Sequence, residues 1–340
     1  MNLKKEHEKL DQRKKDHINL ALDSQVLGTL SDSRFYYEPM LGAHALKQIP
    51  PPFVLAGKQM TYPIWVSSMT GGTAYAGEIN KRLARACKEF GLGMGLGSCR
   101  IILNNNTYFE DFNVRPIIGN KAPLFANLGI AQIESALKTK KWDQVNRMIS
   151  KLKADGLIIH VNPLQEWLQP EGDTISLRPV DTIAFAMQNI QYPVSVKEVG
   201  QGMGPESLKA LMSLSLEAIE FAALGGTNFS LLELKRGKGN KSPFNQLSEI
   251  GHTADEMTGF INRILSNKKA GFKCRKFIIS GGVKDFLDGY YLMNKLKAPS
   301  IYGQASVFLL HAKKDYSSLY NYIKSQIDGL SLAHNYLNLK

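Results

Sequence analysis

The chain has 340 residues, 44% of them apolar, and its 42 Lys or Arg outnumber 30 Asp or Glu for a formal net charge of +12. That length allows two domains or one large α/β barrel with extensions, and either buries a core without a covalent staple. Three scattered cysteines, Cys87, Cys99 and Cys274, exclude a disulfide framework and a zinc cluster, and no apolar run approaches the ~18–20 residues of a membrane span.

The opening stretch MNLKKEHEKLDQRKKDH is charged with no apolar segment behind it, so it is not a secretory signal. With few cysteines this points to a cytoplasmic protein. Residues 1–62 read as an N-terminal extension. It holds one short helix around Asp16–Leu22, then RFYYEP around Tyr36 and Tyr37, then three prolines at 50–52.

From Pro63 to the end, short apolar or Gly-rich strands alternate with helical stretches, as βα units do. The strand candidates are Pro63–Ser67, Leu92–Gly97, Pro123–Asn127, Gly156–His160, Pro193–Lys197, Ala218–Ala222, Phe277–Ser280 and Ser300–Gly303. Helical readings cover Gly77–Phe90, Val145–Ala154, Pro205–Leu214, Thr253–Ser266, Asp285–Leu296 and Tyr316–Leu330. Eight strands, each followed by a crossover, predict a (β/α)₈ TIM barrel over 63–340; a doubly wound sheet is the alternative.

Nearly every candidate strand is followed at once by polar or Gly residues. The segments are Ser67–Gly72, Gly97–Arg100, Asn127–Gly129, His160–Glu166, Lys197–Gly200, Gly225–Asn228, Ser280–Gly282 and Gly303–Ala305. In a barrel these converge on one rim, where such folds place their active sites. Loop-like strand ends explain glycines but not a Lys, an Arg, a His and a Glu beside apolar runs.

The last two ends suit an anion, because backbone N–H groups at Gly281-Gly282 and Gln304-Ala305 would form a cradle beside a helix N-terminus. Glycines at 91, 93, 95 and 97 leave one face of the second strand bare, which suggests close approach by a flat group or neighbouring backbone. Gly239–Ser242 resembles the tail of a P-loop without the upstream glycine spacing and reads as an exposed loop.

HVNPLQEW, His160–Trp167, sets a His, an amide and a carboxylate after a buried strand. Glu166 suits a general base, a helix-start charge, or a ligand to Mg²⁺, which keeps waters and few protein ligands. A lysine at a strand end, Lys197, suits the electron-rich edge of a cofactor or a substrate oxygen, since an unpaired buried ammonium is costly. Arg13–His17 is a basic cluster whose plainer reading is a solvated helix start.

Taken together, RKKDH (Arg13–His17), SSMTGG (Ser67–Gly72), GSCR (Gly97–Arg100), ANLG (Ala126–Gly129), HVNPLQEWLQPEGD (His160–Asp173), VKEVGQG (Val196–Gly202), GGTNF (Gly225–Phe229) and SGG (Ser280–Gly282) resemble the type 2 isopentenyl-diphosphate isomerases. The resemblance runs in order from about residue 13 to about 310. It implies an FMN-binding barrel that interconverts isopentenyl and dimethylallyl diphosphate, with Mg²⁺ on the diphosphate and NADPH reducing the flavin. It also implies a homo-oligomer, tetrameric or larger, acting on a small-molecule diphosphate.

By motif, Ser68, Met69, Thr70, Ser98 and Asn127 would contact the flavin, Lys197 would face its N1/O2 edge, and Thr227 would help hold it. Gly281, Gly282, Gln304 and Ala305 would sit at its phosphate. Arg13, Lys14, Ser98, Arg100, His160, Asn162 and Gln165 would surround the substrate, with Gln165, His160 and Lys197 nearest the chemistry and Glu166 holding Mg²⁺. Acid/base work falls to reduced FMN, because no strong protein base is evident beside the alkene. The chain departs from the family pattern at Asn228-Phe229 and at Ala222, where a polar group often meets the flavin.

The nearest rival is an FMN barrel oxidising a 2-hydroxy acid, but the His base expected in the sixth region is replaced by GGTNFSLLELKR. No nucleic-acid motif or amphipathic basic stripe supports RNA or membrane binding.

Overall fold

The structure is a computed structural model that describes residues 3–44, 51–237, 243–267 and 271–340. The Gly239–Ser242 stretch lies outside the described residues. Eight parallel strands close a barrel in chain order: β4 (Ile64–Val66), β5 (Gly93–Gly95), β6 (Leu124–Gly129), β7 (Gly156–His160), β8 (Val194–Lys197), β9 (Ala218–Glu220), β10 (Phe277–Ser280) and β11 (Ser300–Gln304). Every residue of β4, β5, β6, β8, β9 and β10 is buried. That is why these strands read as apolar runs rather than as alternating patterns. All eight predicted strands are present, and the doubly wound alternative is excluded by closure.

The crossovers carry α2 (Ala74–Phe90), α3 (Arg115–Ile118), α4 (Ile130–Thr139), α5 (Trp142–Lys151), α6 (Pro163–Leu168), α7 (Pro179–Asn189), α8 (Pro205–Met212), α9 (Phe229–Arg236), α10 (Ala254–Ser266), α11 (Phe286–Lys295), α12 (Ser306–Lys314) and α13 (Tyr316–Tyr336). Their starts follow local chemistry. Thr73 accepts from the Ala76 N–H, Thr253 and Glu256 form a capping box, and α6, α7 and α8 carry Pro in the first turn.

The N-terminal segment departs from expectation. Its helix is α1 (Leu3–Leu20), longer than the predicted Asp16–Leu22, because the KKEHEKLDQRKK run is made of good helix formers despite lacking an apolar face. β1 (Phe35–Tyr37) pairs antiparallel with β12 (Leu337–Leu339). A hairpin of β2 (Phe53–Leu55) and β3 (Lys58–Met60) plugs the barrel floor. There Phe53, Leu55 and Met60 pack with Trp65, Phe125, Ile158, Ile278 and Ile301. Each such fully buried side chain contributes about 1.5–3 kcal/mol. Lys58 clasps Asp155 at 2.7 Å, and Asp155 also pairs with Arg115 at 2.7 Å, which fastens the plug from below.

The glycine ladder of β5 answers the flat-group question. A Cβ on Gly93 would lie 2.6 Å from the Trp65 ring, one on Gly95 2.4 Å from Ser68 Oγ, and one on Gly97 2.3 Å from the Thr70 carbonyl. The bare face is therefore filled by the chain's own side chains and backbone, not by a ligand.

Candidate active site

The C-terminal strand ends form two adjoining hollows, of about 560 and 970 Å³ including their open mouths, which share Ser68, Met69, Lys197, Val199 and Phe229. The first runs from Lys197 along Glu220 to Ser280–Gly282 and Gly303–Ser306, with Thr227 on its edge. The second is lined by Ser98, Arg100, Asn127, Gln132, His160, Asn162, Gln165 and Glu166.

The first hollow fits a flavin mononucleotide. Gly281 and Gly282 take positive φ of 86° and 73°, and a Cβ on Gly226 would approach Gly281 Cα to 3.2 Å, so the strand-end backbones lie close together. Beside them α12 starts at Ser306 with no side-chain cap from Ala305, leaving its first N–H groups for an anion. At the other end Lys197 is buried and donates to the Glu198 carbonyl at 2.7 Å. Ser67 Oγ and Ser68 Oγ are buried without a partner among the described residues, which suits a polar ligand. Ala222 lines the cleft in a left-handed conformation, φ 42°, with its N–H donated to Ser280 Oγ at 3.0 Å.

Two of the cofactor contacts expected from the motifs read differently in three dimensions. Thr70 lies outside both hollows: its Oγ1 is directed at Ala76 O and Asn80 Oδ1, and its carbonyl receives the Gly97 N–H. Gln304 lines the cleft, but its side chain bonds Val283 O and Lys284 O and accepts from the Tyr322 hydroxyl, and its carbonyl accepts the Ser67 N–H at 3.0 Å.

The second hollow is a polar network. Asn127 donates to Leu96 O at 3.0 Å and turns its Oδ1 to His160 Nδ1 at 2.7 Å. Burial, with help from the Lys197 and Arg100 charges, pushes the His160 pKa down to about 3, so the ring is neutral. Asn162 donates to Gln165 Oε1 at 3.1 Å and to Glu166 Oε1 at 3.0 Å, and Glu166 Oε2 accepts the Asp173 N–H at 2.8 Å. Buried Glu166 thus has neutral donors and no ion pair among the described residues, while Asn162 Oδ1 has no partner there. One uncompensated carboxylate beside a free amide oxygen fits Mg²⁺ shared with substrate oxygens and water. Among the described residues no group of three or more His, Cys, Asp or Glu could cage a metal alone.

Arg100 lies on the rim and pairs with Asp173 at 3.2 Å, and Asp173 also accepts from Gln132 at 2.9 Å. Arg13 and Lys14 are not brought to this rim; both are exposed on α1. Sequence reading misses Glu233 of α9. It is buried, accepts from Gln165 Nε2 at 3.2 Å and pairs with Arg236 at 2.6 Å. Only its i,i+3 pairing with Arg236 hints at it, and that pattern is common on exposed helices.

No family model matches the chain. Among curated proteins it is 30% identical over 331 residues to the isopentenyl-diphosphate delta-isomerase of Synechocystis sp., covering 94% of this chain and 90% of that protein. It is 32% identical over 334 residues to the Rickettsia felis protein of the same name, covering 95% and 91%. Among solved structures it superposes on a mandelate oxidase variant with benzaldehyde at a TM-score of 0.60 and 13% identity, covering 91% of this chain and 86% of that one. The flavin-binding domain of baker's yeast flavocytochrome b2 gives 0.59 at 13%, covering 88% and 71%. Those structures share the fold; the family comes from the sequence relatives, and the chain belongs to the isopentenyl-diphosphate delta-isomerases.

Proposed function

We propose that this protein interconverts isopentenyl and dimethylallyl diphosphate, with the flavin in the first hollow, the substrate in the second and Mg²⁺ between Glu166 and the diphosphate. The observation that carries the reading is the shared wall of Ser68, Met69, Lys197, Val199 and Phe229, along which a ring in one hollow meets a small molecule in the other. Bound FMN, reduced by NADPH, would supply the proton donor and acceptor for the allylic shift.

The chain's own residues bind and orient. Arg100 would pair with the diphosphate and Glu166 would hold the Mg²⁺ that helps neutralise it, so that the remote anion positions an otherwise featureless five-carbon tail. Gln165 has its amide fixed from both ends: Asn162 donates to its oxygen and Glu233 accepts from its nitrogen. It therefore presents one defined N–H and one defined lone pair to the substrate. Arg13 and Lys14 join the diphosphate when α1 folds over the rim of its own or a second copy, in a homo-oligomer of four or more chains. The run of exposed apolar side chains Ile18, Leu22, Val26, Leu27 and Leu30 supports such a contact.

Purified protein with FMN, NADPH and Mg²⁺ under anaerobic conditions should convert isopentenyl to dimethylallyl diphosphate. A yellow, reducible preparation that gives no turnover would defeat the reading. Oxidation of a 2-hydroxy acid by the same preparation would favour the rival chemistry. The residues after β9 give that rival no base, since His252 packs edge-on against Phe260 and lines neither hollow.

A further inference from the structure

Glu220 is the one carboxylate among the described residues in the wall of the first hollow, and it takes no part in the polar network of the second. It is 1% exposed at the end of β9. Its Oε1 accepts from Ser280 Oγ at 3.1 Å. Ser280 Oγ already accepts the Ala222 N–H, so its single proton is committed to Glu220. The other oxygen, Oε2, is buried with no hydrogen-bond partner among the described residues. A buried carboxylate oxygen left bare is costly, so the site is built for a donor that arrives with a ligand.

Register says which part of a ligand that donor belongs to. Glu220 is paired with Lys197 of β8 on one side and with Ile278 of β10 on the other. In-register residues of a parallel sheet face the same way, so Lys197 and Glu220 share one wall. Along it stand Lys197, then Glu220, then the Ser280–Gly282 cradle. A ligand with its phosphate in the cradle and an electron-rich ring edge at Lys197 must cross Glu220 with the segment between. The phosphate oxygens and the N1/O2 edge are acceptors and cannot satisfy Oε2, and the ring's own donor, N3–H, lies beyond O2, away from the N10 atom that carries the chain. The Lys197 ammonium gives one of its three N–H groups to the Glu198 carbonyl and makes no hydrogen bond to Oε2. Hydroxyl groups on the linking segment are the donors that remain.

We propose that Glu220 recognises the ribityl chain of the flavin, its free oxygen accepting a hydrogen bond from a chain hydroxyl as it passes from Lys197 to the glycine cradle. The inference rests on the flavin reading of this hollow and makes Glu220 a specificity residue for a polyhydroxylated linker. Ser67 Oγ, also buried and unpartnered in the same hollow among the described residues, is the second polar group available to that chain.

The test is equilibrium titration of the flavin-free full chain, read by flavin fluorescence, with FMN, with riboflavin and with lumiflavin, which carries a methyl group in place of the ribityl chain. Glu220→Gln keeps the shape and the oxygen facing Ser280 but replaces the free acceptor by an amide NH₂. FMN and riboflavin should both bind the variant about 10–100-fold more weakly, the loss of a charge-assisted hydrogen bond. Lumiflavin should bind both proteins equally. Unchanged FMN affinity, or an equal loss for lumiflavin, would overturn the assignment, the latter by placing Glu220 at the ring. If the variant does not fold, the wild-type chain decides. A flavin with an unsubstituted pentyl chain should bind at least about tenfold more weakly than riboflavin, and equal binding would refute the role. A wild-type protein that binds none of these flavins would instead sink the cofactor reading, and this inference with it.

Discussion

Asn127 Oδ1 lies 2.7 Å from His160 Nδ1, and because the same amide donates to Leu96 O, its oxygen must face the ring. His160 therefore carries its proton on Nδ1 and presents a bare Nε2 lone pair to the site. A Cβ on residue 129 would lie 2.8 Å from that Nε2, so Gly129 leaves the room in which the ring sits.

The first prediction concerns acid stability. An unfolded imidazole takes up a proton near 6.5, whereas His160 in the fold does so only near 3. The unfolded chain thus binds more protons across that window, and stability declines as pH falls through it. His160→Gln should flatten the fall in Tm between pH 7 and pH 4 that the wild type shows. Parallel Tm profiles would mean that the imidazole titrates alike in both states.

A second prediction follows from the pair Glu166 and Asn162. Glu166→Gln removes the one carboxylate that lines the second hollow among the described residues; if Glu166 holds Mg²⁺ as proposed, the half-saturating Mg²⁺ concentration should rise about tenfold or more, while FMN binding stays unchanged. A metal response like that of the wild type would return Glu166 to a purely structural role.

Asp173 supplies the third. Its carboxylate holds Arg100 at the rim, but both side chains are about half exposed. Such a pair is worth at most about 1 kcal/mol, so Asp173→Ala should raise the substrate KM by no more than about fivefold. Because the Asp173 N–H that reaches Glu166 is backbone, kcat and the Mg²⁺ response should hold. A collapse of kcat would show that the side chain does more than steady Arg100.

Gly281 supplies the fourth. At φ 86°, with an added Cβ 2.1 Å from Ala223 O and 2.2 Å from Ala223 N, alanine cannot be seated without moving backbone. Gly281→Ala should cost about 1–3 kcal/mol in strain. It should also release FMN, read as a lower Tm and a colourless preparation. A yellow protein of wild-type Tm would show that the cradle tolerates a side chain.

The barrel is legible in the sequence because fully buried parallel strands write themselves as short apolar runs, and the strand cores PIWVS, GLIIH and FIIS stand out from the helices between them. The rim is legible because Arg100, His160, Glu166 and Lys197 follow such runs at once. Contacts made by chain folding are not. Thr70 sits in a flavin-like motif, yet its hydroxyl is taken up by α2. Glu220 reads only as part of a strand, because nothing local says that its strand neighbours are Lys197 and Ile278. Glu233 reaches Gln165 across 68 positions of chain. The N-terminal helix reads short because an apolar stripe is the signal that marks a helix, and α1 has none.

The pairing of Phe35–Tyr37 with Leu337–Leu339 joins segments some three hundred positions apart. On the ribosome, the arm that carries Arg13 and Lys14 has no strand to dock on until residues 337–339 have emerged. All eight barrel strands precede that point in the chain, so a protein cut back past Leu337 would keep every strand of the barrel and leave β1 without its partner.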